Sequence, residues 1–205
     1  MVTLTGAEPD RGWRGGEPYD SAGWTVTIYY TAVETYHSGA PVSVLGCRSM
    51  DCVHGTADLG TYPADFIDAV RAEGTGRTAR GRYLNWSYDT GFWLDQAPRD
   101  AYGRPLRPLS SAAADPAVLP AGSRFAIVDC GRAAIHPTVC ASLRHARWLV
   151  TDQFTPGFGG PRHVDVYIGE ETAPDFTASP WYCTLAGATL RISRPGISRP
   201  ARHAR

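Results

Sequence analysis

The apolar and polar positions of this chain alternate over short stretches and never hold a helical period for long. Between Gly23 and Val33 the text reads GWTVTIYYTAV, with Val26, Ile28 and Tyr30 on one side and Thr25, Thr27 and Tyr29 on the other. That two-residue period predicts a half-buried strand. RFAIV, RWLV, VDVYI and TLRI repeat the signal further on, and RYLNWSYDTGFWLD predicts a strand pair or a bulged strand. One segment breaks the pattern: in YPADFIDAVRAEG, Phe66, Ile67 and Val70 form a short apolar face, Pro63 suits a first turn and Gly74 suits a stop. One short helix is expected there. Six or more short strands without recurring helices predict a mainly β chain with loop insertions, closed into a small barrel that leaves no strand edge bare.

Length and composition fit this picture. With 205 residues, 43% apolar content and six Trp, the chain can bury a sizeable core, and one domain is expected. The expected division is a flexible arm over residues 1–22, a barrel domain over 23–193 and a basic, disordered tail over 194–205. Residues 38–81 form an insert within the barrel domain, irregular up to Gly60.

Formal charge is zero and all 20 basic residues are Arg, which argues against nucleic acid as a partner, since that needs a concentrated basic face. No apolar run approaches the ~20 residues of a membrane helix, so no transmembrane segment is expected. The start, MVTLTGAEPDRGWRGG, lacks the basic end and apolar middle of a secretion signal. Two locations follow: secreted or cell-wall associated if a signal was removed, cytoplasmic if the sequence is complete as given. Cys47 and Cys52 bracket a short loop, Cys130 and Cys140 flank GRAAIHPTV as a staple would, and the odd count leaves Cys183 as the simplest free thiol. No Cys-x-x-Cys pair marks a zinc site, and no metal or cofactor is expected.

The candidate chemistry gathers in VTDQFTPGFGGPRHVDVYIG, residues 150–169. Asp152 follows the apolar WLV and opens a loop rich in Gly and Pro. That location suits a general acid, which needs apolar neighbours to stay protonated near neutral pH. Asp165 lies in the next strand, where a second carboxylate would raise the pKa of the first. His163 shares a strand face with Asp165 and is a candidate substrate contact, with no third ligand to suggest a metal. Asp115, in AADPAVLPAG, reads first as a turn initiator. Trp86, Tyr88, Phe92 and Trp93 could stack on sugar rings but read equally as core.

These residues also carry a resemblance. Ser111, Asp115 and Pro116, then Leu119, Pro120, Gly122 and Ser123, then Asp152, Gly159 and Gly160, then Asp165, Tyr167 and Gly169 follow one another in order and approximate spacing. The series resembles the three-aspartate (3D) domain, the double-psi β-barrel of the membrane-bound lytic transglycosylase A family, and covers Gly103 to Ile192. The resemblance implies a six-stranded double-psi barrel with Asp115, Asp152 and Asp165 as its three aspartates. It implies Asp152 as the acid/base that cleaves peptidoglycan or a related glycan without water. Related barrels place polar and aromatic residues of the opening strand in the groove, which implies Tyr30 and Thr31 as substrate contacts. This chain departs from the pattern in a longer loop between Asp152 and Asp165 and in lacking the family's large second domain. Two other readings stand beside it: an intracellular barrel enzyme doing acid/base cyclisation or elimination on a small molecule, and a non-catalytic, expansin-like glycan-binding protein.

Overall fold

The computed structural model describes residues 17–195, so most of the expected arm and nearly all of the basic tail lie outside the described residues. The alternating stretch forms β1 (Tyr19–Val33), which begins four residues before Gly23. Val26 and Ile28 are buried as their period predicts, but from Tyr29 onward every residue of β1 is buried. Both faces of that half are covered by neighbouring elements.

Six strands bond in a ring. β1 pairs in parallel with β10 (His163–Glu170) and antiparallel with β11 (Leu185–Ser193). β10 continues to β7 (Ser111–Ala114), β7 to β9 (Trp148–Asp152), and β9 to β8 (Arg124–Asp129), which returns to β11. Inside the ring sit Val26, Ile28, Ala112, Ala114, Phe125, Ile127, Trp148, Val150, Val164, Val166, Leu185 and Leu190, all buried. The structure is thus mainly β, a nine-stranded sheet with ring-like strand bonding.

The other three strands of this sheet leave the ring at the far end of β1. There Ala32 and Val33 pair with β4 (Thr75–Arg77), which pairs with β5 (Tyr83–Ser87), itself paired with β6 (Gly91–Asp95). The last two form the strand pair expected in RYLNWSYDTGFWLD. The expected helix is α1 (Ala64–Glu73), with Phe66, Ile67 and Val70 buried against Tyr30 and Ala32 of β1. Gly74 ends it in the left-handed conformation, at φ 84°, and returns its N–H to the Val70 carbonyl, the stop that glycine makes easy.

Two elements differ from expectation. The stretch before Gly60 is irregular only around the Cys47–Cys52 loop: β2 (Pro41–Gly46) and β3 (Ala57–Pro63) on either side of it form a two-stranded sheet of their own. A second helix, α2 (Pro137–His145), begins inside the segment that Cys130 and Cys140 flank and runs on past Cys140. Its sequence hides it because only Val139 and Leu143 are buried, too few to impose a period. Cys130–Cys140 and Cys47–Cys52 are disulfides and Cys183 is free. Closing so short a loop is worth roughly 2–4 kcal/mol. None of the described helices is long and apolar enough to cross a membrane.

Candidate active site

One row of paired residues crosses four strands of the ring. Thr27 of β1 pairs with Asp165 of β10, Asp165 with Ala113 of β7, and Ala113 with Asp152 of β9. Paired residues point to the same face of a sheet, and all four line one cavity of about 440 Å³. The two acids stand two strands apart, about 10 Å between Cα positions, with only the Ala113 methyl between them. A larger side chain there would fill the space over the floor.

A bulge puts Asp152 in that row. Ala112 pairs with Val150, yet Ala113 pairs with Asp152, so Thr151 is an extra residue in β9. Without it the two-residue period would send Asp152 to the same side as Val150, into the ring core. Bulges re-aim side chains in this way at sites. The hydroxyl of Thr151 is buried without a hydrogen-bond partner.

Each acid is held differently. The Ala101 and Gln153 N–H groups both donate to Asp152 Oδ1 at 2.9 Å, and the Tyr29 hydroxyl lies 3.4 Å from Oδ2. Burial outweighs these donors and, with the nearby Asp100 carboxylate, pushes Asp152 up to about 6. Asp100 is itself buried and tied into a turn, accepting from the Tyr102 and Arg104 N–H groups and pairing with the Arg104 guanidinium at 2.9 Å. That turn fixes the backbone that delivers the Ala101 N–H. Asp165 is pushed up to about 7 by burial, against the Thr27 hydroxyl and Val166 N–H, with Asp152 adding to the rise. Its Oδ1 is buried without a partner.

His163 lines the cavity, its Nε2 2.9 Å from the Thr27 hydroxyl and its ring 4.5 Å from that of Phe154. Burial lowers its pKa, favouring the neutral ring. Tyr30, Thr31 and Asp115 do not line the cavity. Tyr30 takes the other side of β1 from Thr27 and Tyr29 and packs on Phe176 at 4.8 Å. Thr31 is fully buried and spends its hydroxyl on Tyr167 at 2.6 Å. Asp115 accepts the Ala117 N–H at 2.9 Å and shapes its own turn, with Gly159 of the long loop packed against it.

The cavity holds residues the sequence reading missed. Glu73, the last residue of α1, accepts the Tyr30 N–H at 3.2 Å and lies 3.5 Å from the Tyr182 hydroxyl. Burial pushes it up to about 8, with Asp165 adding to the rise. Tyr29, Arg71, Arg99 and Tyr182 also line the cavity, and of the aromatic cluster Trp86 and Tyr88 do so while Phe92 and Trp93 are buried. The strand period pointed to Tyr29 as the partner of Thr27; nothing marked Glu73. Among the described residues no group of three or more His, Cys, Asp or Glu is arranged to hold a metal ion.

The sequence matches no protein-family model and no curated protein. Among solved structures the chain is similar to E. coli MltA with bound chitohexaose, with a TM-score of 0.55 at 12% identity over 85% of this chain and 72% of that one. The fold matches that of a lytic transglycosylase. A membrane-bound lytic murein transglycosylase from Agrobacterium tumefaciens agrees, with a TM-score of 0.53 at 12% identity over 86% of this chain and 76% of that one. The likeness lies in the path of the chain.

Proposed function

We propose that this chain is a lytic-transglycosylase-like enzyme that cleaves peptidoglycan or a related glycan with Asp152 as its acid/base. The observation that carries the reading is the row Thr27, Asp165, Ala113, Asp152: two carboxyls, both raised toward neutrality, facing one cavity across a floor of a single methyl. A carboxyl that titrates at about 6 is half protonated there and can give its proton to a glycosidic oxygen. The bond from C1 to the leaving oxygen breaks as that proton arrives. The resulting Asp152 carboxylate then takes the proton of the C6 hydroxyl while O6 bonds to C1, closing a 1,6-anhydro ring without water. Asp165 stays mostly protonated while Asp152 titrates, because burial and the Asp152 charge hold its proton, so the cavity gains no second carboxylate as Asp152 gives up its proton.

Support for a glycan comes from the neighbour that binds chitohexaose in the same fold. The aromatic rings of Trp86, Tyr88, Phe154 and Tyr182 around the cavity fit sugar faces. The double-psi barrel and the three-aspartate assignment belong to this proposal, with Asp115 as the aspartate that shapes a turn. Two disulfides suit an oxidising, cell-wall setting. Incubation with purified peptidoglycan, followed by mass spectrometry, is the test: 1,6-anhydromuropeptides are expected. Products with free reducing ends, or none at all, would refute the assignment.

A further inference from the structure

Glu73 is a buried carboxyl of the cavity that the proposed reaction does not use. It ends α1, where the helix dipole presents its negative pole and disfavours a carboxylate. Among the described residues no cation pairs with it: the guanidinium of Arg71, also in the lining, lies over the Phe92 ring at 5.3 Å. The groups facing Glu73 are the Tyr30 N–H, the Tyr182 hydroxyl, and the carboxyls of Asp165 and Glu171. With acids nearby and no counter-ion, the neutral form is the stable one, in line with a value pushed up to about 8.

A neutral carboxyl has one O–H to donate; the Tyr30 N–H occupies Oε2, which puts that O–H on Oε1, where the Tyr182 hydroxyl approaches only to 3.5 Å. We propose that Glu73 is a substrate-binding residue, donating a hydrogen bond from its carboxylic acid O–H to an uncharged acceptor oxygen of the sugar, such as an acetamide carbonyl. The inference rests on the glycan reading above. It gives the α1 wall a role distinct from that of the ring wall: the ring carries the acid that cleaves, and the insert carries a donor that selects an uncharged amido sugar. A cationic amino sugar would instead require the Glu73 carboxylate.

The test is calorimetric binding of chitohexaose between pH 6 and pH 9.5 to the wild type, Glu73→Gln and Glu73→Ala. The wild type is expected to lose about tenfold in affinity as pH rises through about 8. Glu73→Gln, which keeps a donor and an acceptor for the Tyr30 N–H, should bind like the wild type at pH 6 and stay flat through pH 8. Glu73→Ala should be about tenfold weaker than the wild type at pH 6. Equal alkaline losses in wild type and Glu73→Gln would overturn the proposal, as would a Glu73→Gln affinity as poor as that of Glu73→Ala. A wild type that binds at every pH while neither variant changes overturns the Glu73 role alone. A wild type that never binds the sugar removes the glycan reading and this inference with it.

Discussion

The two walls of the cavity are built by different rules. On the ring wall, Thr27, Asp165, Ala113 and Asp152 occupy paired positions on four adjacent strands, so backbone register sets where each short side chain points. The other wall comes from the end of α1 and the β5–β6 hairpin, with Arg71, Glu73, Trp86 and Tyr88. Those are long or broad side chains, placed by packing and by contacts such as Tyr30 N–H to Glu73. Register holds an acid to within a fraction of an ångström, as bond-making chemistry requires. A wall of reaching side chains suits recognition. Changes on the ring wall should therefore strike turnover, and changes on the wall of α1 and the β5–β6 hairpin should strike affinity.

The largest expected effect follows from Asp152→Asn, which removes the transferable proton while keeping the acceptor for Ala101 and Gln153. Anhydro product formation should fall about a thousandfold, with thermal unfolding unchanged or shifted upward; a variant of near-normal rate would break the comparison at its centre. Next is the pH profile of kcat/KM. Because the acid must be protonated, the rate should drop about tenfold per pH unit above the value of about 6, and ionisation of Asp165 at about 7 should bend that limb. A rate that rises with pH through this range would contradict the acid role.

Ala113→Leu fills the floor between the acids and should cost about tenfold in turnover, while circular dichroism reports an intact fold. Stability sharpens the comparison from another side. A buried Asp whose pKa is raised binds a proton in the folded state that the unfolded chain has released, so stability is lost as pH climbs from about 4 to about 7. Asp165→Asn should thus raise the melting temperature by about 5 °C at pH 8 and leave it unchanged at pH 3. An equal shift at both pH values would show that charge burial is not the cause. The smallest effect belongs to Tyr88→Ala at the β5–β6 hairpin, with KM rising about threefold and kcat unchanged.

The ring wall was the more legible in the sequence. Alternation along β1 and β10, the apolar WLV before Asp152, and the Gly and Pro positions around the aspartates are short-range signals, and they located Asp152, Asp165 and His163 in the cavity. The bulge at Thr151 was not legible, because the register of β9 is set by its pairing with β7. Tyr30 and Thr31 illustrate the same limit: the alternation of β1 was clear, but which side met a cavity depended on α1 covering Tyr30 and on Tyr167 claiming Thr31. Nothing in the sequence singled out Glu73; tertiary packing alone brings Asp165 and Glu171 to it with no cation among the described residues. α2 and the β2–β3 pair escaped because each offers too few apolar positions to impose a period.

The most direct test of the central claim is digestion of peptidoglycan in water labelled with heavy oxygen, comparing the wild type with Asp152→Asn. The account predicts anhydro-ended products from the wild type with no label at the cleaved end, and none from the variant. Labelled reducing ends would show that water, not the C6 hydroxyl, attacks C1, and unlabelled products at the wild-type rate from Asp152→Asn would show that Asp152 is not the acid.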